Sequence, residues 1–423
     1  MKRRYFVLFL MMFCLGIIMA GCQKDNSSKK DSAKTTKEET KAETSSGIVE
    51  LKVWADTTDR EFINQACEKF AGEHKSEAEF KFIFQPVSSD KCRSKLLTNI
   101  LNAPDIYMTV DEDLLRIVSG GAASEVTASS VKSENSELSV KAATVNNKIY
   151  GYPVLQNKGS VLYYNKRYLK SSDVKTVEGI LSGAGRKNKK FAMDWSSGNM
   201  LYSFYGMTGL KVGLQADGLT TSCSWNSVDN DVKGTDVANA LMNIARSRSF
   251  LNTANISNIA KNKSVAAFVG DISNEADARR AWGNNLGIAV LPTYRCAGKQ
   301  IQMASFTGFD LLCVNPYSNN PEWAHKLAEY ISNEENQLLL FGKQKHGRMP
   351  SNSNAAKSVE VQSSQALQAV LKQESYSDLR RVGQNYLRAV PSFGKMMAGG
   401  STKGKDLQGI LDSFVADVTA KVR

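Results

Sequence analysis

Residues 49–54 read VELKVW, a short run of strand-forming residues, and from 59 to 70 apolar side chains recur at 62, 63, 66, 67 and 70, one face of a helix. The alternation FKFIF predicts a second strand at 80–84. A second helix is predicted from Ser89 to Leu101, ended by Ala103-Pro104, and a third strand at 105–110. Strand, helix, strand, helix, strand implies a parallel twisted sheet covered on both faces, which binds ligands at the carboxyl ends of its strands, here near 55–58 and 111–113.

A short helix at 113–118 ends at Gly120-Gly121, and the stretch 147–169, NKIYGYPVLQNKGSVLYYNKRYL, follows. It reads as strand, turn and strand, with a Gly and a Pro inside a tyrosine-rich run. The rhythm then restarts: a strand at 191–195, an aromatic-rich helix at 200–207, a polar irregular segment at 217–233 and a helix at 236–246. Strands are predicted at 265–269, 287–290 and 309–314, and a helix at 323–331 behind Asn320-Pro321. There is no short-period repeat, which excludes a solenoid.

The chain is 423 residues long and 42% hydrophobic, enough for two globular units. Its first 21 residues stand apart. Lys2, Arg3 and Arg4 precede an apolar run at 5–19, too short to span a bilayer comfortably and typical of an export signal. Ala20-Gly21 then meets Cys22. This arrangement resembles bacterial lipoprotein precursors, although Met19 stands where Leu is usual; the resemblance implies that Cys22 is lipidated. Residues 23–47 hold no aromatic and no aliphatic side chain larger than Ala, so they predict a disordered tether.

Net charge falls from +12 to +9 once Lys2, Arg3 and Arg4 leave with the signal. The basic run RKNKK at 186–190 lacks an interleaved aromatic motif and reads as a solvated loop rather than a nucleic-acid site, while overall basicity favours an anionic surface or ligand. Cys67, Cys92, Cys223, Cys296 and Cys313 remain in the mature body. They are odd in number and none forms a C-x-x-C pair, so neither a disulfide framework nor a zinc site is indicated; a Cys67–Cys92 bridge is conceivable, but buried free thiols are expected.

In this order, APDIYM followed by GGA, then NKIYGYP, LYYNKRYL, KSVAAFVGD, NLGIAVLPT, SFTGFDLLCVNP, NNPEWAHKLAEYIS and GRMPSNS, the sequence resembles the extracellular solute-binding proteins of ABC importers, in the group that includes maltose- and other sugar-binding proteins. The resemblance implies an α/β fold of two lobes joined by hinge crossings, with the ligand in the cleft between them. It implies residues 48–156 plus about 308–355 for one lobe and about 157–307 plus 356–423 for the other, with 147–169 holding the first crossing. The candidate ligand residues are Trp54, Asp56, Thr58, Asp111 and Glu112 from the first lobe, Asn157 and Lys158 at the crossing, Trp195, Asn199 and Asp271 from the second, Phe306 and Phe309 beside the return crossing, and Phe393 late in the chain. Tyr163 and Tyr164 are expected to pack the hinge. Trp54 and Trp195 serve equally well as core aromatics, and Asp111 and Asp271 as helix caps.

The pattern departs from maltose-binding relatives at Asp271-Ile272, where an aromatic is frequent, and at Asn157-Lys158, where a carboxylate can serve sugar hydroxyls. A carbohydrate is therefore the expected ligand and a small anion or other non-sugar solute the alternative; Trp225 and Trp282 could supply a missing ring. Catalysis has no visible residues: His74, His325 and His346 are scattered and no hydrolase or dinucleotide motif occurs. The run at 399–405 resembles a phosphate loop, but Asp406 follows it and no strand precedes it. The start of a calcium loop at 229–231 fails at Lys233 and Ala240. The sequence thus predicts a monomeric, lipid-anchored protein on the extracellular face of a bacterial membrane, with no enzymatic activity, no cofactor and no metal. Its predicted partners are a mono- or oligosaccharide and importer permease subunits; a ligand-sensing lipoprotein is the other use of the same fold.

Overall fold

The computed structural model describes residues 47–343 and 348–422. The export signal, Cys22, the tether and His346 lie outside the described residues. Residues 46–423 form one compact unit.

The strands that organise it are β1 (Val49–Ala55), β2 (Phe80–Pro86), β3 (Ile106–Val110), β4 (Tyr152–Lys158), β5 (Ser160–Asn165), β6 (Lys190–Met193), β7 (Phe250–Asn252), β8 (Val265–Asp271), β9 (Leu286–Ala289), β10 (Ser305–Val314), β11 (Met349–Pro350) and β12 (Ser377–Leu379). They build two sheets. The first has the order β11-β4-β10-β3-β1-β2, with β12 added beside β10, and the second the order β7-β6-β8-β5-β9. Strands β1, β2 and β3 are parallel, as the βαβαβ pattern requires, while β10 returns antiparallel to β3 and β4.

Each sheet has its own apolar core. Leu51, Phe62, Phe70, Ile106, Leu311 and Leu327 belong to the first; Leu162, Phe191, Trp195, Phe204, Leu241 and Phe414 belong to one face of the second. A third cluster around Val161, Tyr163, Phe268 and Trp282 covers its other face. Every residue of β10 is buried, which explains the apolar run Leu311–Val314 at its end, since a strand covered on both faces has no polar side to alternate with.

Several elements differ from expectation. The helix expected to run from Ser89 to Leu101 stops at Leu96, and a single tight turn, Ile100–Asn102, follows. Of the turn expected among the tyrosines, Gly151 precedes β4 and Pro153 lies within it, and the break between β4 and β5 falls at Gly159. The polar segment 217–233 contains a strand, Thr221–Cys223, paired antiparallel with Val212–Leu214; strands of three residues carry too little apolar periodicity to show. The cysteines agree with expectation: Cys67, Cys92, Cys223, Cys296 and Cys313 are free, and all but Cys223 are buried. Burial pushes the thiols of Cys67 and Cys92 up to about 12.

Candidate functional site

Strand β4 belongs to the first sheet and β5 to the second, so the backbone passes between lobes at Gly159. Strand β10 lies alongside with Gly308 opposite Lys158, and its first residues, Ser305 to Thr307, pair with β12. Side chains stitch these crossings together. The Ser160 amide donates to Ser305 Oγ at 2.9 Å, and Gln156 Nε2 donates to Thr307 Oγ1 at 2.7 Å and to the Lys158 carbonyl at 3.0 Å. The pivot is therefore a polar seam of short side chains. Tyr163 and Tyr164 are not part of it: both lie deeper in β5, where Tyr163 stacks on Phe268 at 4.9 Å and donates its hydroxyl to the Asp271 carbonyl at 2.8 Å.

Above the seam, at the carboxyl ends of the strands, is a network of charges. The helix Asp111–Ser119 starts directly from β3, so its first two carboxylates sit where helix N–H groups are unsatisfied, a position that favours anions. Glu112 accepts both N–H groups of an Arg380 fork, from Nε and Nη2, each at 2.9 Å, and Lys158 Nζ lies 2.8 Å from its Oε1. Burial works against this charge, but Lys158 and Arg380 together hold the carboxyl below its ordinary range.

Asp111 is 1% exposed, and its Oδ1 accepts the Phe309 amide at 2.9 Å. Burial pushes its carboxyl up to about 7, against the pull of that amide, Arg381 and Lys158. Arg381 Nε stands 3.9 Å from Asp111 Oδ2, and neither atom has a hydrogen bond among the described residues. Gly308 faces this group: a Cβ there would lie 3.1 Å from both Lys158 Nζ and Asn157 Oδ1 and 3.2 Å from Asp111 Oδ1, so a side chain would crowd the network.

Two further carboxylates complete it. Asp310 accepts Asn157 Nδ2 at 2.7 Å and has Arg348 Nη1 at 3.4 Å; burial raises its carboxyl, Arg348 opposes this, and Asp56 adds to it. Asp271 comes from the second lobe. It is open to solvent yet walled by protein on most sides, as a cleft residue is, and this desolvation raises its carboxyl against the Ser160 hydroxyl, Lys158 and Arg380. It also caps the turn Ile272–Asn274, whose Asn274 Oδ1 accepts the Asp271 amide at 2.9 Å.

Of the expected ligand residues, the fold brings Asp56, Asp111, Glu112, Asn157, Lys158 and Asp271 into this network. Thr58 is exposed at the end of β1 and Asn199 is half-buried at the start of the helix Gly198–Tyr205. The aromatic residues are placed differently. Trp195 is fully buried against Phe204 and Phe250, and Phe309 is 1% exposed in the first core. Phe306 stacks on Tyr202 at 3.6 Å, and Phe393 packs on Phe414 at 4.4 Å. Trp54, 6% exposed, donates from Nε1 to Gln85 at 2.7 Å and carries Lys95 Nζ over its ring at 4.5 Å. Trp225 is fully buried on Tyr205 and Trp282 packs on Phe268, so neither replaces a missing ring.

Sequence reasoning missed Asp310, Arg348, Arg380 and Arg381. Asp310 was detectable: a carboxylate inside the apolar run SFTGFDLLCV must be paired or costly. The arginines follow polar segments without periodicity, and only the fold carries them to the crossings.

With this geometry established, comparison with known proteins places it. Residues 65–369 match the family described as bacterial extracellular solute-binding protein, and the chain belongs to that family. Members bind a solute rather than transform it. The chain is 25% identical over 357 residues to a galactooligosaccharide-binding protein of Bacillus subtilis, covering 81% of this chain and 82% of that one. It is 24% identical over 294 residues to a maltodextrin-binding protein of the same organism, covering 64% and 66%. Among solved structures, a maltodextrin-binding protein from L. casei BL23 without ligand aligns with a TM-score of 0.76 and 22% identity, over 88% of this chain and 99% of that one. An extracellular solute-binding protein of Staphylococcus aureus with maltose aligns with a TM-score of 0.72 and 18% identity, over 88% and 96%. These likenesses establish the two-lobe α/β fold.

Proposed function

We propose that this chain captures a carbohydrate between its lobes and delivers it to an ABC importer from a lipid anchor at Cys22 on the extracellular face of the membrane. The observation that carries the ligand class is the balanced network at the crossings. Lys158 and Arg380 are met by Glu112 and by the field of Asp271, and Asp310 by Asn157 and Arg348, leaving charge-assisted donors and acceptors rather than an uncompensated charge. Such a surface suits a neutral polyhydroxylated ligand, and the names of the two Bacillus subtilis relatives point the same way. The ligand residues proposed are Asp56, Glu112, Asn157, Lys158 and Asp271, joined by Arg380, with the buried Asp111 supporting them from behind. Closure is a rotation about the seam at Gly159, and the closed shape is what a permease distinguishes.

A thermal-shift panel of mono- and oligosaccharides, sugar acids, small anions and polyamines tests this. A ligand at about a hundred times its dissociation constant adds about 2.7 kcal/mol to stability. A shift with a saccharide is the expected result; a shift confined to a small anion or a polyamine moves the assignment to the non-sugar alternative.

A further inference from the structure

The basic run at 186–190 has no role in the site above, and the fold shows where its charges go. In the second lobe β6, β7 and β8 begin, and β5 ends, at the pole remote from the crossings. The six residues of β5 set that pole about 20 Å from Gly159. Four separate loops meet there and each delivers cations: Lys166, then Lys187, Lys189 and Lys190, then Arg248, then Lys263. The loops are bonded to one another. The Lys190 amide donates to the Ser264 carbonyl at 2.7 Å, the Phe191 amide to the Ser249 carbonyl at 2.7 Å, and Lys189 Nζ to the Lys263 carbonyl at 2.9 Å while lying over the Tyr168 ring at 4.8 Å.

Lys166, Lys187, Arg248 and Lys263 are exposed, and Lys189 and Lys190 are half-buried. Arg186 is paired with Asp173 at 3.0 Å, whereas none of the six has an ion-pair partner among the described residues. The loop at 399–405 joins the same rim, because Arg246 Nε donates to the Gly400 carbonyl at 2.8 Å. This brings Lys403 beside the pole. Two sequence runs without a role in ligand capture therefore converge on one face. That face is built of loops that bear exposed charge, which is the form of a surface contact rather than a small-molecule site.

We propose that this pole is an electrostatic docking face for an anionic phospholipid surface. The proposal rests on the membrane-anchored reading of Cys22 for its setting, not for its chemistry. Residues 23–47 separate Cys22 from the body by only 25 positions, so a body anchored at Cys22 stays beside the bilayer and a weak attraction suffices to orient it. Clusters of four to eight cations at a surface are a recognised basis for such attraction, and its range is about 10 Å. The spacer joins the body just before Val49, where β1 begins at the remote pole of the first lobe. A lipid contact at the remote pole of the second lobe would therefore hold the molecule side-on to the membrane, with both ends restrained.

The test uses residues 46–423, which contain every apolar cluster described, in sedimentation with vesicles of phosphatidylcholine alone or with about 40% phosphatidylglycerol. The expected result is binding to the anionic vesicles at about 50 mM salt, lost at about 500 mM, and reduced about tenfold or more in the variant Lys187→Glu, Arg248→Glu, Lys263→Glu. Circular dichroism and the saccharide thermal shift should be unchanged in that variant. Equal binding to both vesicle types, or full binding by the charge-reversed variant, overturns the proposal. Binding to soluble polyglycerol phosphate without binding to vesicles also overturns it, in favour of a wall polymer. Because this body lacks Cys22, failure here is distinct from failure of the lipid anchor, which cell fractionation of Cys22→Ser reads separately.

Discussion

Asp111 and Glu112 are adjacent in sequence and opposite in electrostatic behaviour. Glu112 is held below its ordinary range by two cations, while burial pushes Asp111 up to about 7. A carboxyl whose folded value lies above its unfolded one stabilises the fold only while protonated, so its contribution is complete below about 3.8 and is lost as pH rises to about 7. Asp111→Asn, which keeps an acceptor for the Phe309 amide, should remove that slope. We expect urea melts to show the variant gaining on the native chain between pH 4 and 7, by roughly 4 kcal/mol at most; parallel pH profiles would refute the assignment. Arg380→Ala leaves Glu112 half-buried with Lys158 alone, and should weaken saccharide binding about tenfold or more in calorimetry, with Arg380→Lys restoring little because the fork is lost. Trp195 belongs to a different argument. Its burial on Phe204 and Phe250 predicts a loss of about 3–5 kcal/mol in Trp195→Ala, read by denaturant midpoint; weaker ligand binding at unchanged stability would return it to the cleft.

At the scale of elements, close backbone approach decides how the late helices meet the second sheet. The helix Gln384–Ala398 passes the strand end after β6 so closely that a Cβ on Gly394 would lie 1.7 Å from the Trp195 carbonyl oxygen. No rotamer relieves a clash with backbone, so Gly394→Ala should lower the melting temperature by several degrees or prevent folding. Equal melting temperatures would mean that the helix can slide. The β4–β5 break was legible as two strand-like runs, but its position was not: Gly151 and Pro153 look like a turn locally, and pairing of Pro153 with Leu311 in β10 keeps that stretch extended. The hairpin Val212–Leu214 and Thr221–Cys223 was hidden for a related reason, since its residues are held by pairing and not by an apolar stripe.

For the whole molecule, the two cores explain how a ligand can change shape without unfolding the protein. Each sheet carries its own apolar clusters, while the seam between lobes is hydrogen-bonded through Gln156, Thr307, Ser160 and Ser305. Exchanging polar contacts with water costs little net free energy, whereas opening a packed core costs much more, so motion concentrates at the seam. Scattering profiles should therefore contract on saccharide binding while circular dichroism stays constant; a loss of secondary structure on binding would contradict a hinge.

The amino-acid order alone determined the alternation of strands and helices, the polar composition of residues 23–47, and the carboxylates and Lys158 at strand ends, because periodicity and local chemistry are properties of neighbouring residues. Tertiary structure alone decided which aromatics are core, since Trp195, Phe306, Phe309 and Phe393 have the same chemistry in a cleft as under a sheet. It also gathered Asp310, Arg348, Arg380 and Arg381 around Asp111 and Glu112. Those residues are up to 270 positions apart along the chain, as Arg380 is 268 positions from Glu112. Charge pairing of that kind acts through space over a few ångströms, and no local pattern encodes it.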